Sequence, residues 1–247
     1  MSSRVHQNDA GNDCQFPKPE IVYSAMCTNF VFIKSNATIQ FSDQLGIDES
    51  GFLYQPHVKP GAKISIIVDS GTGFKILDAT WWLFLKQTDE GLKPHPDYFS
   101  VNTNYAKLPN RLEFRVARCV VPATAFMESQ SGKNPHLLTP EDGRVIAFGG
   151  LYKVWVDKIT GVKVHSASII TLPGHPSLKC IHGKSTPLWL TDQEVQIWLD
   201  RELKDTVKLT SFLAPKLVVD LIATPIEKVG NQKVIGQSFK IRKATLP

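Results

Sequence analysis

The sequence predicts an α+β protein, mainly antiparallel β, with a barrel-like sheet and a few peripheral helices. Three observations predict it. Short runs rich in β-branched and aromatic residues recur from Ile21 to the C-terminal end. Helix-opening patterns are few. No regular alternation of strands and helices marks a parallel βαβ sheet. The chain has 247 residues, of which 42% are hydrophobic and 21% charged, so it can bury a sizeable core. Neither an internal repeat nor a linker divides it. The expected organisation is an N-terminal extension over residues 1–25, or a start at Met26, followed by one domain over 26–240.

The elements follow in order. Residues 1–20 are polar and read as a loosely attached arm. Residues 21–40 are rich in strand formers, with a strand over Thr28–Ile33. Asp48–Gly51 is a turn. Ile64–Val68 is a buried strand, and Gly71-Thr72-Gly73 is a hairpin turn rather than a phosphate loop. It lacks the further glycine and the Lys-Ser/Thr that cradle phosphate. Ala79–Leu85 is a second buried strand, and Lys93-Pro94-His95-Pro96 a loop. Val116–Val121 is a strand ending at Pro122. Two more strands, Arg144–Tyr152 and Val164–Thr171, flank a turn at Asp157–Gly161. In the latter, Val164, Ser166, Ser168 and Ile170 share one face. Thr191-Asp192-Gln193-Glu194 is a capping box opening a helix with Val195, Trp198, Leu199 and Leu203 on one side. A short helix is expected to start at Thr210-Ser211-Phe212-Leu213 and stop at Pro215. Residues 217–247 return to strand-like runs.

Bulk properties narrow the function. A net charge of +5 permits a polyanion partner and equally suits a mildly basic protein without one. No apolar run reaches membrane-spanning length, and the polar Met1–Lys18 segment lacks the apolar core of a signal peptide. A cytoplasmic, nucleoid-associated monomer with no membrane partner is expected. Cys14, Cys27, Cys119 and Cys180 show no metal-type spacing and are too few for a disulfide framework. Free thiols, no metal and no cofactor are expected.

Four segments carry polar residues that a purely structural chain has little use for. They are Met26-Cys27, Phe99–Tyr105, Arg118–Glu128 and Cys180–Pro187. Each has a bland alternative. Glu128 reads as a solvated charge, His182 as a surface or hydrogen-bonded histidine, and Asn102 as a turn former. A Cys…Glu…His set also suggests a cysteine hydrolase.

Together, and in this order, the segments resemble the SRAP family of SOS-response-associated peptidase-like proteins. Met26-Cys27-Thr28-Asn29-Phe30 resembles the family start Met-Cys-Gly-Arg-Phe. Asn102–Ala106 resembles Asn-Ala-Arg-x-Glu. Arg118–Ser129 is close to Arg-Cys-Leu-Ile-Pro-Ala-x-Gly-Phe-Tyr-Glu-Trp. Ile146–Tyr152, Ile181-His182-Gly183-Lys184 and Val229-Gly230-Asn231 follow the later motifs. The resemblance spans about residues 26–235.

The resemblance implies a barrel-like fold that binds single-stranded DNA at abasic sites without metal or cofactor. It implies that Cys27, as a free N-terminus, captures the sugar aldehyde with its α-amine and closes a thiazolidine with its thiol. Asn102 would orient that N-terminus, Glu128 would manage protons, and His182 would polarise the sugar oxygen. Asn29, His57, Asn104, Lys184 and Asn231 would contact DNA. The chain departs from the family pattern at Asn29, Asn104, Ala106 and Ser129, which remove charge or a stacking surface. An internal Cys27 has no α-amine, so the chemistry requires a start at Met26 or processing to Cys27. The alternatives are a non-covalent single-stranded DNA-binding module and a thiol (auto)peptidase using Cys27 and His182.

Overall fold

The computed structural model describes residues 28–129 and 133–243. In chain order, β1 (Asn29–Phe32) leads through α1 (Asn36–Leu45) to β2 (Gln55–Val58). Next come the hairpin of β3 (Lys63–Asp69) and β4 (Phe74–Trp81) and that of β5 (Leu85–Thr88) and β6 (Gly91–Pro94). Then β7 (Asn102–Asn104) and α2 (Leu112–Val116) precede β8 (Arg118–Ala123), β9 (Ala125–Glu128) and β10 (His136–Pro140). The long pair β11 (Ile146–Val156) and β12 (Lys163–Pro173) is followed by short β13 (Ser185–Pro187) and β14 (Trp189–Leu190). Last are α3 (Asp192–Leu199), α4 (Thr206–Thr210), β15 (Leu221–Pro225) and β16 (Phe239–Ile241).

Five strands close a barrel in the order β12, β4, β3, β8, β11 and back to β12. All its junctions are antiparallel except β12–β4. Closure removes the unpaired edges that an open sheet would expose. A second sheet runs β16-β15-β10-β9-β1-β2. The main core lies in and beside the barrel, with Ile66, Ile67, Trp81, Val120, Phe148 and Ile169 fully buried. Val31, Ala125, Met127 and Ile226 form a smaller apolar cluster. The expected mainly antiparallel, barrel-like fold is present. None of the helices among the described residues is long and apolar enough to cross a membrane.

The hairpin at Gly71-Thr72-Gly73, the turn at Asp157–Gly161 and the Thr191 capping box form as the sequence predicts. Four local readings differ. Residues 36–45 are helical, because Ser35 caps the chain and Thr38 closes the box in place of Glu or Gln. Strand β4 ends at Trp81, and Trp82-Leu83-Phe84 leaves it before β5. Strand β8 runs through Pro122 to Ala123. Proline is tolerated there because the registered β3–β8 pairing is limited to Ile67 with Val120, leaving Pro122 partnered only by Ala147. The short helix spans 206–210 instead of starting at Thr210, because Asp205 caps the amides of Val207 and Lys208.

One buried cation fixes the helices to the barrel. Arg118 is 5% exposed at the start of β8. Its Nε donates to the Trp198 carbonyl at 2.7 Å and its Nη2 to that of Asp200 at 2.6 Å. Its Nη1 donates to Phe114 at 3.0 Å and Arg115 at 2.7 Å. The guanidinium thus satisfies orphan carbonyls at the ends of both α2 and α3. Burial pulls its pKa down to about 10, against the opposing charge of Asp200, and it stays protonated at neutral pH. Arg118→Met keeps the stem and abandons these carbonyls. The expected outcome is a loss of about 3 kcal/mol in urea unfolding, and a loss under about 1 kcal/mol would contradict this role.

Candidate functional site

Strand alternation sets the site. On β9, Phe126 faces the main core while Ala125 and Met127 face the smaller cluster. Glu128 is in phase with Phe126, so its carboxylate sits at the core-side end of the strand. Thr124 holds the β8–β9 junction against β1, with its amide donating to the Val31 carbonyl at 2.7 Å. Its hydroxyl accepts from the Ile33 amide at 3.3 Å. The β1–β9 register runs from Val31 opposite Ala125 to Asn29 opposite Met127. The chain therefore enters β1 at the end of the sheet that carries Glu128.

Glu128 meets His182 there. Glu128 Oε2 lies 3.5 Å from His182 Nδ1, and both side chains are almost wholly buried, at 4% and 2% exposure. Glu128 is therefore not the solvated charge of the bland reading, and His182 is its hydrogen-bonded histidine rather than its surface one. His182 Nδ1 also lies 3.2 Å from the Ser129 carbonyl and Nε2 lies 3.3 Å from Ser185 Oγ. A carbonyl has no proton, so Nδ1 is the donor. Nε2 is then the acceptor for the Ser185 hydroxyl. Burial lowers the His182 pKa, the Ser129 carbonyl opposes this, and the nearby Lys184 charge lowers it further. The imidazole is neutral at neutral pH, with one edge donating and the other accepting.

The loop that delivers His182 is closed by backbone contact. A Cβ on Gly174 would sit inside van der Waals distance of the Gly183 carbonyl oxygen. His175, fully buried, caps the following turn by accepting the Ser177 amide on Nδ1 at 3.2 Å. Its own amide donates to Thr186 Oγ1 at 2.7 Å. The sequence reading held Ser185 within the Cys180–Pro187 segment without giving it a role, and it missed Gly174. The only signal was position: Ser185 is three residues past His182, and its strand pairs with β12, Ser185 opposite Pro173.

The other predicted residues fall into separate groups. Asn29 Oδ1 lies 2.8 Å from His57 Nε2. By alternation Asn29 is on the same side of β1 as Val31, opposite to Glu128. The Gln232 amide donates to the Pro56 carbonyl at 2.7 Å, bringing the Asn231 turn beside β2. Asn231 itself donates to Glu227 at 2.8 Å. Asn102 pairs with Ile169 and Asn104 with Thr171 on β12. Thr171 also pairs with Pro187, so β7 and β13 flank it on opposite sides. Neighbouring Thr103 is tied to Ser168 by a 2.7 Å hydroxyl pair. Asn104 accepts the Ala106 amide at 2.9 Å and caps its own turn. Lys184 is exposed beside His182. Cys27, Met26 and Cys14 lie outside the described residues. Among the described residues, no group of three or more His, Cys, Asp or Glu could hold a metal ion.

Comparison with known proteins adds to this geometry. The family model for SOS response associated peptidase (SRAP) matches residues 26–232. The chain is 25% identical over 224 residues to the abasic site processing protein YobE of Bacillus subtilis, covering 86% of this chain and 100% of that protein. It is also 25% identical over 217 residues to the abasic site processing protein YoqW of the same organism, covering 83% and 94%. A crystal structure of a Bacteroides thetaiotaomicron protein superposes with a TM-score of 0.66 at 22% identity, covering 81% of this chain and 92% of that one. One from Bordetella bronchiseptica gives 0.65 at 16%, covering 82% and 100%.

The histidines make stability depend on pH. Burial is the main cause that lowers His136, His165, His175 and His182 below the usual 6.5. The unfolded chain therefore binds more protons than the folded one between the folded values and 6.5. Their contribution is full above 6.5 and is lost as the pH falls through the folded values. The urea midpoint is expected to drop between about pH 7.5 and about pH 5. A midpoint that holds or rises on acidification contradicts this assignment.

Proposed function

The chain belongs to the SOS response associated peptidase (SRAP) family, and from that premise we propose that it captures abasic sites in single-stranded DNA covalently through Cys27. The observation that carries this reading is the buried Glu128–His182 contact at the end of the strand that pairs with β1. A buried acid–base pair beside the entry of the chain suits proton transfer at an N-terminal amine. The names of YobE and YoqW support abasic-site DNA as the substrate class.

The chemistry requires Cys27 as the first residue. Its α-amine has an ordinary pKa near 8, so a useful fraction is neutral at pH 7. The amine attacks the aldehyde carbon of the ring-opened sugar, and the carbinolamine loses water to give an imine. Glu128 takes the proton released by the amine and returns it to the departing hydroxyl. The neutral His182 edge hydrogen-bonds the sugar oxygen. The thiol then adds across the C=N bond, its sulfur to carbon and its proton to nitrogen, closing a five-membered thiazolidine. Aldehyde, amine and thiol become the ring plus one water, with no change in oxidation state. Both nucleophiles belong to one residue, which makes the second step intramolecular. Asn102 orients the amine, and Asn29, His57, Asn104, Lys184 and Asn231 contact the strand.

The second reading is a non-covalent single-stranded DNA-binding module. It is favoured by the neutral Asn29 and Asn104, each already hydrogen-bonded within the protein. Protein beginning at Cys27, incubated with an abasic oligonucleotide and run on a denaturing gel, separates the two. A heat-stable shifted band that Cys27→Ala abolishes supports capture. Glu128→Gln is expected to slow band formation by roughly 10²–10⁴-fold. Salt-sensitive binding with no shifted band leaves the module reading. Intact mass of the protein from its native gene tests the N-terminus, and a mass that begins at Ser2 without a shorter species sinks the Cys27 chemistry.

A further inference from the structure

We propose that a basic cleft at the far end of β12 from His182 binds the phosphodiester backbone of a nucleic-acid strand. This is a second contact surface, and it rests on the proposed nucleic-acid partner but not on covalent capture. The cleft measures about 670 Å³ and is lined by Lys75, Lys163, Arg201, Lys204, His165 and Tyr152.

Strand register builds it. His165 pairs with Val154 on one side and Ala79 on the other. Side-chain alternation therefore brings His165, Lys163, Val154 and Tyr152 to one face of β11 and β12, with Lys75 and Leu77 of β4 beside them. The bend after α3 supplies the opposite wall through Arg201 and Lys204. Arg201 is held over the β3–β4 turn, where its amide donates to Asp69 Oδ2 at 3.3 Å. Its Nη1 lies so near Gly71 that a Cβ there would come within 2.6 Å. Gly71, at φ +87°, supplies both the turn and the space.

Cations outnumber acids at the cleft. Lys75, Lys163, Arg201 and Lys204 are all exposed. Arg201 and Lys204 share one carboxylate, Glu202, at 3.4 and 3.5 Å. Asp69 is the acid among the cleft's lining residues, and it accepts the Gly71 amide at 2.7 Å as well as that of Arg201. The Lys75 charge is felt at His165, where it adds to burial in opposing protonation. Val116 and Val154, both about half exposed at 48% and 52%, add apolar wall between the cations. Cations set along an apolar-floored groove suit a chain of phosphates joined by sugars.

The cleft is distinct from the Glu128–His182 site. His165 lies eight residues before Pro173, which pairs with Ser185 next to His182. At about 3.3 Å per strand residue the two are roughly 26 Å apart along β12. A stacked strand rising about 3.4 Å per nucleotide needs about eight nucleotides for that span. A stacked strand shorter than this occupies only one of the two sites.

The test uses the full domain and the charge-reversed pair Lys75→Glu with Lys163→Glu. Fluorescence anisotropy is read on lesion-free strands of about 30 nucleotides across a salt series, and capture on an abasic strand of about 4 nucleotides. The expected result is at least a tenfold loss of affinity for the long strand. The slope of log affinity against log salt should fall by about 1.4, two contacts at about 0.7 each. Capture of the short strand is unchanged. Arg201→Glu with Lys204→Glu, on the opposite wall, gives the same result and stands in if the first pair fails to melt at the wild-type temperature. Unchanged affinity and slope for the long strand in a folded variant overturn the proposal. Displacement by inorganic pyrophosphate alone, with strand binding intact in the variants, also overturns it and assigns a small-anion site. Long-strand binding that depends on the cleft while no abasic strand is captured keeps this surface and rejects the covalent reading.

Discussion

A single extended run, Arg118–Glu128, belongs to both sheets, and the rest of the molecule is arranged around that constraint. Its first half is β8, a barrel strand between β3 and β11. Its second half is β9, in the middle of the six-stranded sheet. Thr124 is the joint, fixed to β1 by two backbone partners. Each end of the run carries a buried charge-bearing group. At one end the charged Arg118 is hydrogen-bonded to backbone carbonyls and ties the architecture together. At the other Glu128 meets an imidazole and is held where chemistry is possible. Any shift of the barrel relative to the second sheet would have to be accommodated at Thr124, so the carboxylate is positioned by both sheets at once.

The electrostatics of the site follow from burial more than from net charge. His182 stays neutral because burial and the nearby Lys184 charge outweigh the hydrogen bond to the Ser129 carbonyl, with Glu128 3.5 Å away. A neutral imidazole between a carbonyl and a serine hydroxyl has a defined tautomer. That definition matters for a group meant to donate on one side and accept on the other. The Ser129 position, where an aromatic side chain would be expected from the family pattern, contributes here through its carbonyl. The substitution removes a stacking surface and leaves the backbone contact in place.

Much of the fold was legible where pattern and turn chemistry agreed. The β3–β4 hairpin, the β11–β12 pair and the α3 cap each carry two concordant local signals, a strand or helix period and a terminator. Helix α1 was hidden because β-branched and aromatic residues dominate its surroundings and its capping box uses Thr38 in place of an acid. Strand β8 was cut short at Pro122 because a sequence does not show which edge of a strand is unpaired. Glu128 and His182 were legible as motif residues, yet their burial was not. Single-position reasoning makes Glu128 solvated and leaves His182 either at the surface or hydrogen-bonded, and only the convergence of β9 with the β12–β13 loop buries both. Ser185 carried no signal of its own. The barrel closure was suggested by the strand count, but the parallel contacts of β4 and β7 on β12 depend on contacts far apart in sequence.

The loop around His182 is defined by an atom that is missing. Gly174 and Gly183 touch through backbone alone, and no side chain at 174 fits without moving the loop. In a saturation-mutagenesis map, position 174 would stand out as strongly as a reacting group, although it has no side chain to react. Tolerance profiles of this protein would then mix two kinds of intolerant position, those that react and those that leave room. Restoring activity by a compensating change at a neighbouring residue would separate them, since a void can be re-created elsewhere in the loop and an imidazole cannot.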